Sequence, residues 1–78
     1  MRCQGVSSRM SIFSERLEAL RTEKNLSQSA AARALGIGAR TYQYYEYGQR
    51  EPQLSVLIHM ADFYGVSLDY LAGRRDER

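Results

Sequence analysis

Apolar residues recur along the chain at intervals of three and four, and no segment alternates strictly in the manner of a half-buried strand. Phe13, Leu17 and Leu20 fall at i, i+4 and i+7, which predicts a first helix from about Ser11 to Lys24. Ser11 or Ser14 can cap its start, and Asn25 suits its C-terminal end. Ser27 has N-cap chemistry for a second helix carrying Ala30 to Ala32, Ala34 and Leu35, and stopping at Gly36. Its alanines make it thin, so a neighbouring helix can approach closely. Gly36-Ile37-Gly38 reads as a tight turn with Ile37 plugging the core, followed by a third helix from Ala39 to Tyr47, ended by Gly48. Pro52 is suited to the first turn of a fourth helix, where its missing donor costs nothing. Leu54, Leu57, Ile58 and Ala61 form the buried stripe expected of that helix, and Gly65 ends it. Ser67 caps a short fifth helix with Leu68 and Leu71, ended by Gly73. The pattern therefore predicts an all-α, compact five-helix domain over residues 11–73. A flexible leader over residues 1–10 precedes it, and a charged tail over residues 74–78, expected to fray, follows.

Length and composition narrow the classes of function. A chain of 78 residues holds one domain. A domain of that size buries only about 60% of its unfolded surface, so a deep substrate pocket is hard to build. With 44% apolar and 26% charged residues it is a folding sequence, not a disordered one. Cys3 is the single cysteine and has no disulfide partner. No apolar run reaches the roughly 20 residues of a membrane span, and Met1 to Ser8 lacks the centre of a secretory signal. A cytoplasmic location, with no membrane contact, is the expectation. His59 is the only histidine, which excludes a His-based metal cluster or triad, and it falls on the polar side of the fourth helix with Ser55 and Asp62. No glycine-rich phosphate loop is present. The expectation is a protein that is not an enzyme and takes no cofactor, metal or small-molecule ligand.

The net charge of +2 is a weak pointer to nucleic acid, yet ten of the eleven basic residues are arginine. The guanidinium fork suits bidentate contact with phosphate or guanine, although arginine enrichment also follows genomic base composition. Distribution decides between the two. Wound at about 100° per residue, the segment ARTYQYYEYGQR gathers Ala39, Arg40, Gln43, Tyr44 and Tyr47 on one side. Thr41, Tyr42, Tyr45 and Glu46 fall on the other, with Tyr42 and Tyr45 suited to the core and their hydroxyls reaching outward. The first face is donor-rich and begins with a small residue, as entry into a major groove requires. Arg40 can pair with guanine, Gln43 with adenine, and Tyr44 with a phosphate or a thymine methyl. Gln28 and Ser29 open the second helix, where backbone amides and the helix dipole favour a phosphate. Tyr47 and Arg50 are further phosphate candidates. A polar helix face by itself is more often just a solvated one.

The flanks shift that balance. LSQSAAARALGIGARTYQYYEYGQREP resembles the helix-turn-helix segment of DNA-binding domains of the Cro and phage-repressor type, an XRE-like family. The match lies in the order and spacing of Leu26, Ser27, Gln28, Ala32, Gly36, Ile37, Thr41, Glu46, Gly48, Arg50 and Pro52. It extends upstream to Leu17, Leu20 and Arg21, and downstream through Leu54, Leu57, Ala61, Gly65, Val66, Ser67, Leu68 and Leu71. The resemblance implies a repressor-like fold with the helix-turn-helix in the second and third helices. It implies base reading by Ala39, Arg40, Gln43 and Tyr44, a backbone and bracing role for Gln28, and a structural ion pair between Arg21 and Glu46.

Three positions depart from the family's pattern. Gly38 replaces a serine or threonine cap, at a cost of a few tenths of a kcal/mol. Ala31 replaces a larger aliphatic residue and Tyr42 replaces isoleucine, two changes that compensate if the ring fills the space beside the short side chain. The fourth helix also has a second apolar stripe of Val56, Met60 and Phe63, which with Tyr70 and Leu71 reads as a homodimer surface, or else buries against the chain around Met10 and Ile12. The function so implied is a sequence-specific double-stranded DNA-binding transcription regulator, a repressor that pairs as a homodimer. The competing class is a module that keeps the fold but binds protein, such as an antitoxin or anti-regulator. Low net charge and the tyrosine cluster favour that alternative.

Overall fold

A computed structural model describes the backbone of residues 9–78 and the side chains of residues 12–78; Cys3 and the segment before Arg9 lie outside the described residues. Five helices follow in order: α1 Arg9–Glu23, α2 Gln28–Leu35, α3 Ala39–Glu46, α4 Leu54–Tyr64 and α5 Leu68–Ala72. No strand occurs among the described residues. Arg9 and Met10, assigned above to the leader, belong to α1. Because the helix starts upstream of both candidate caps, neither serine caps it. Ser14 is instead buried within the bundle.

All five helices stop by one device. Each is followed by a residue with left-handed backbone, at Asn25, Gly36, Gly48, Gly65 and Gly73. The next amide then reaches back five positions to a carbonyl: Leu26 to Arg21, Ile37 to Ala32, Gln49 to Tyr44, Val66 to Ala61 and Arg74 to Asp69. These reversals satisfy carbonyls that the helix ends would otherwise leave bare. Gly36, at φ 75°, makes the turn between α2 and α3, where a side chain would be strained.

The core joins Phe13, Leu17 and Leu20 of α1 to Ala31, Ala32 and Leu35 of α2, Tyr42 and Tyr45 of α3, Met60, Ala61 and Tyr64 of α4, and Leu71 of α5. Ile37 packs against it from the turn, as expected. Ala31 and Tyr42 are both fully buried in this cluster, in keeping with a ring filling the space a short side chain leaves.

The fourth helix departs from the sequence reading in start and in face. Gln53, not Pro52, is its N-cap, and Pro52 lies before the helix. Its buried side is centred on Met60, Ala61 and Tyr64, while Leu54 is 64% and Ile58 43% exposed. Tyr64 is the reason. By joining the core it draws the centre of the apolar face round towards Met60, so that Leu57 and Ala61 of the first stripe turn inward with the second stripe while Leu54 and Ile58 are left outside. This takes Met60 and Leu71 out of the homodimer surface read above. Met60 and Leu71 have no exposure at all, and Val56, Phe63 and Tyr70 are half-buried against the same core. The Tyr70 ring is covered by the guanidinium groups of Arg16 at 4.1 Å and Arg78 at 5.6 Å. Ile12 lies against Gly73.

The tail is tied down. Arg16 donates to the carbonyls of Tyr70 and Arg75 and pairs with Asp76. Arg78 pairs with Glu23, and its carbonyl accepts from the Ser67 amide at 2.8 Å. These exposed ion pairs fix the path of the tail while adding little stability.

Candidate nucleic-acid interface

The site begins with a cap. The Ser27 hydroxyl accepts from the Ala30 amide at 3.0 Å, which starts α2 abruptly. Three residues after Leu35, α3 starts from Gly38, whose N-cap position carries no side-chain bond. The two helices pack closely because α2 turns Ala31 and Ala32 towards the core.

The observed faces of α3 match the division expected from its winding. Tyr42, Tyr45 and Glu46 are buried, whereas Arg40 and Tyr47 are exposed and Gln43 and Tyr44 half-exposed. Ala39 is half-buried against the edge of the core.

Directional contacts hold the inner face from below. Arg21 Nε donates to Glu46 Oε2 at 2.7 Å and Nη2 to Oε1 at 3.3 Å, so the implied ion pair is present and two-pronged. A further Arg21 donor, Nη1, reaches the Leu26 carbonyl at 2.8 Å. The carboxylate of Glu46 raises the Arg21 pKa still further, chiefly through their hydrogen bond. Ser14 Oγ donates to the Tyr45 carbonyl at 2.7 Å. Gly48 sits beside that hydroxyl, with φ 74° and room for a Cβ only 3.4 Å from Ser14 Oγ. Finally, the hydroxyls of Tyr42 and Tyr64 lie 2.7 Å apart. Burial pushes both pKa values up, so the pair stays neutral across the ordinary range.

Gln28 is placed differently from the reading above. Its Nε2 donates to Glu46 Oε1 at 2.9 Å, so the carboxamide donor faces inward and braces Glu46. What the start of α2 presents outward is the backbone amides of Gln28 and Ser29, which have no intrahelical partner. Arg50 lies over the Tyr44 ring at 5.0 Å, bringing two of the expected contact residues together.

Charge is partitioned in the same way. From Ser27 to Arg50 the only carboxylate is Glu46, and it is turned in against Arg21. Arg33, Arg40 and Arg50 are exposed and form no ion pair among the described residues. Elsewhere, Arg16, Arg75 and Arg78 are paired with carboxylates, whereas Lys24 and Arg74 are exposed without an ion pair among the described residues. The outward surface of the α2–α3 unit therefore carries positive charge alone.

Sequence reasoning missed Ser14 and Tyr64. Ser14 had been taken for a cap, and nothing in the local pattern of α4 marks Tyr64 as a partner for a residue 22 positions earlier.

The profile of the family described as Helix-turn-helix matches residues 17–71. The chain belongs to that family. Among its relatives, an uncharacterised HTH-type transcriptional regulator, YqaE of Bacillus subtilis, is 45% identical over 60 residues, 77% of this chain and 52% of that protein. The transcriptional repressor RstR of the cryptic phage CTXphi, from Vibrio cholerae, is 39% identical over 57 residues, covering 73% and 51%. The transcriptional regulator AnsR of B. subtilis is 41% identical over 64 residues, covering 82% and 55%. This helix-turn-helix chain thus spans about half the length of the relatives it matches. In fold it is similar to the SOS-response repressor LexA of Eubacterium rectale, with a TM-score of 0.78 at 22% identity over 82% of this chain and 68% of the other.

Proposed function

We propose that this helix-turn-helix protein is a sequence-specific double-stranded DNA-binding regulator that represses transcription. The observation that carries the reading is the two-sidedness of α3: its outer face offers Arg40, Gln43 and Tyr44, while its inner face is clamped by α1, α2 and α4. Arg40 and Gln43 read bases, Tyr44 contributes beside Arg50, and Ala39 allows close approach. Arg50, Tyr47 and the amides of Gln28 and Ser29 hold phosphates.

The protein acts as a homodimer in the cytoplasm. The eight residues of α3 extend about 12 Å, which is enough for three or four base pairs. Useful selectivity therefore needs two copies on half-sites about one helical turn apart. Among the described residues no helix is long and apolar enough to cross a membrane.

Selection of bound duplexes from a random pool tests this reading. The expected result is a two-fold symmetric site whose affinity falls steeply with added salt. Arg40→Ala should cost about 1–3 kcal/mol and relax the preference at one position of each half-site. A pool that yields no enriched sequence, or binding indifferent to salt, would overturn it.

A further inference from the structure

The helices around α3 hold it by different means. α1 and α2 both pack closely against it, whereas α3 and α4 are not a closely packed pair. Across that gap runs the hydrogen bond between Tyr42 and Tyr64, 2.7 Å long and buried at both ends. Tyr42 has no exposure, and the Tyr64 ring is fixed in turn by the edge of Phe63, with centroids 4.9 Å apart. A tyrosine side chain has two soft torsions and a rigid ring, so the linked hydroxyls relay the position of α4 to the backbone of α3. On that same turn, facing the opposite way, stand Arg40 and Gln43.

Stability alone does not explain two hydroxyls here. Replacing both partners of a buried hydrogen bond by apolar groups of the same shape is close to neutral, so a pair of phenylalanines would fill the space equally well. What the hydroxyls add is direction. A fully satisfied buried polar contact favours one arrangement of its neighbours over others that pack comparably.

We propose that Tyr64 is a positioning residue for base reading. Its hydroxyl, acting through that of Tyr42, sets the stand-off of α3 from α4 and so the placement of Arg40 and Gln43, without touching nucleic acid. The inference rests on the reading of α3 as the base-reading helix.

The test compares wild type, Tyr64→Phe, Tyr42→Phe and the double variant Tyr42→Phe/Tyr64→Phe. For each, affinity is measured for the selected duplex and for an unrelated duplex, together with the thermal unfolding midpoint. The preference for the selected duplex is expected to fall about five- to tenfold in all three variants, the range one lost hydrogen bond can supply. Affinity for the unrelated duplex should stay within about twofold. The double variant leaves no hydroxyl unpaired, so it should unfold near the wild-type temperature and still lack the preference. That separation of stability from selectivity is what a purely structural role would not produce. A double variant with wild-type preference overturns the inference alone. Wild-type protein with no preference for any duplex overturns the reading of α3 and this inference together.

Discussion

The helices α3 and α4 are neighbours in the chain and both bury tyrosine in the core, yet they are held in opposite ways. α3 brings a carboxylate, a phenol and a backbone carbonyl inward, each met by a side chain of another helix. α4 is held by Met60, Ala61 and Tyr64, with the Tyr64 hydroxyl as its polar tie, and leaves Leu54 and Ile58 in solvent. Apolar packing is non-directional and tolerates small rotations, whereas hydrogen bonds do not. The division fits the proposed work of each. The helix that must present side chains at a fixed attitude is pinned, and the helix that closes the bundle is packed.

Substitutions can break this comparison, the severest first. Glu46→Ala leaves Arg21 and Gln28 without their partner in a nearly dry site and should cost about 3–5 kcal/mol in a denaturant titration. Met60→Ala opens a cavity in the packed side of α4 and should cost about 2–5 kcal/mol by the same measurement. The two are separated by duplex selectivity, which the Glu46 variant should lose and the Met60 variant should keep wherever each remains folded.

Alkaline titration sharpens the contrast. Burial raises both tyrosine pKa values in the folded state, so the native protein holds its phenolic protons to higher pH than the unfolded chain does. The associated stability is whole well below about pH 10 and is lost progressively as the pH rises above it. Unfolding midpoints measured from pH 8 to 11.5 should bend downward above 10, and the bend should shrink in Tyr42→Phe/Tyr64→Phe. At the mild extreme, Leu54→Ser on the exposed side of α4 should change stability by no more than about 0.5 kcal/mol in chemical denaturation.

Most of the fold was legible because it is written in short-range signals. The Ser27 and Ser67 caps and the stop residues Asn25, Gly36, Gly48, Gly65 and Gly73 are local chemistry, and each acts where its residue type predicts. The two faces of α3 followed from winding alone. The face of α4 did not, because both its apolar stripes are plausible until Tyr64 enters the core and tips the balance. The contacts of the tail were not legible for a related reason: its partners Arg16 and Glu23 lie more than fifty residues away. The Arg21–Glu46 pair came from family likeness, whereas the contacts of Ser14 and Tyr64 join residues far apart in the chain that no local pattern links.

The partition of arginines reaches beyond contact geometry. A molecule whose overall charge is nearly balanced, but whose α2–α3 unit presents three unpaired arginines and no outward carboxylate, behaves as an electric dipole. A polyanion exerts a torque on it before any surfaces meet, turning the reading helix towards its target during approach. Arrival would then quicken at low ionic strength even though the net charge of the protein is small.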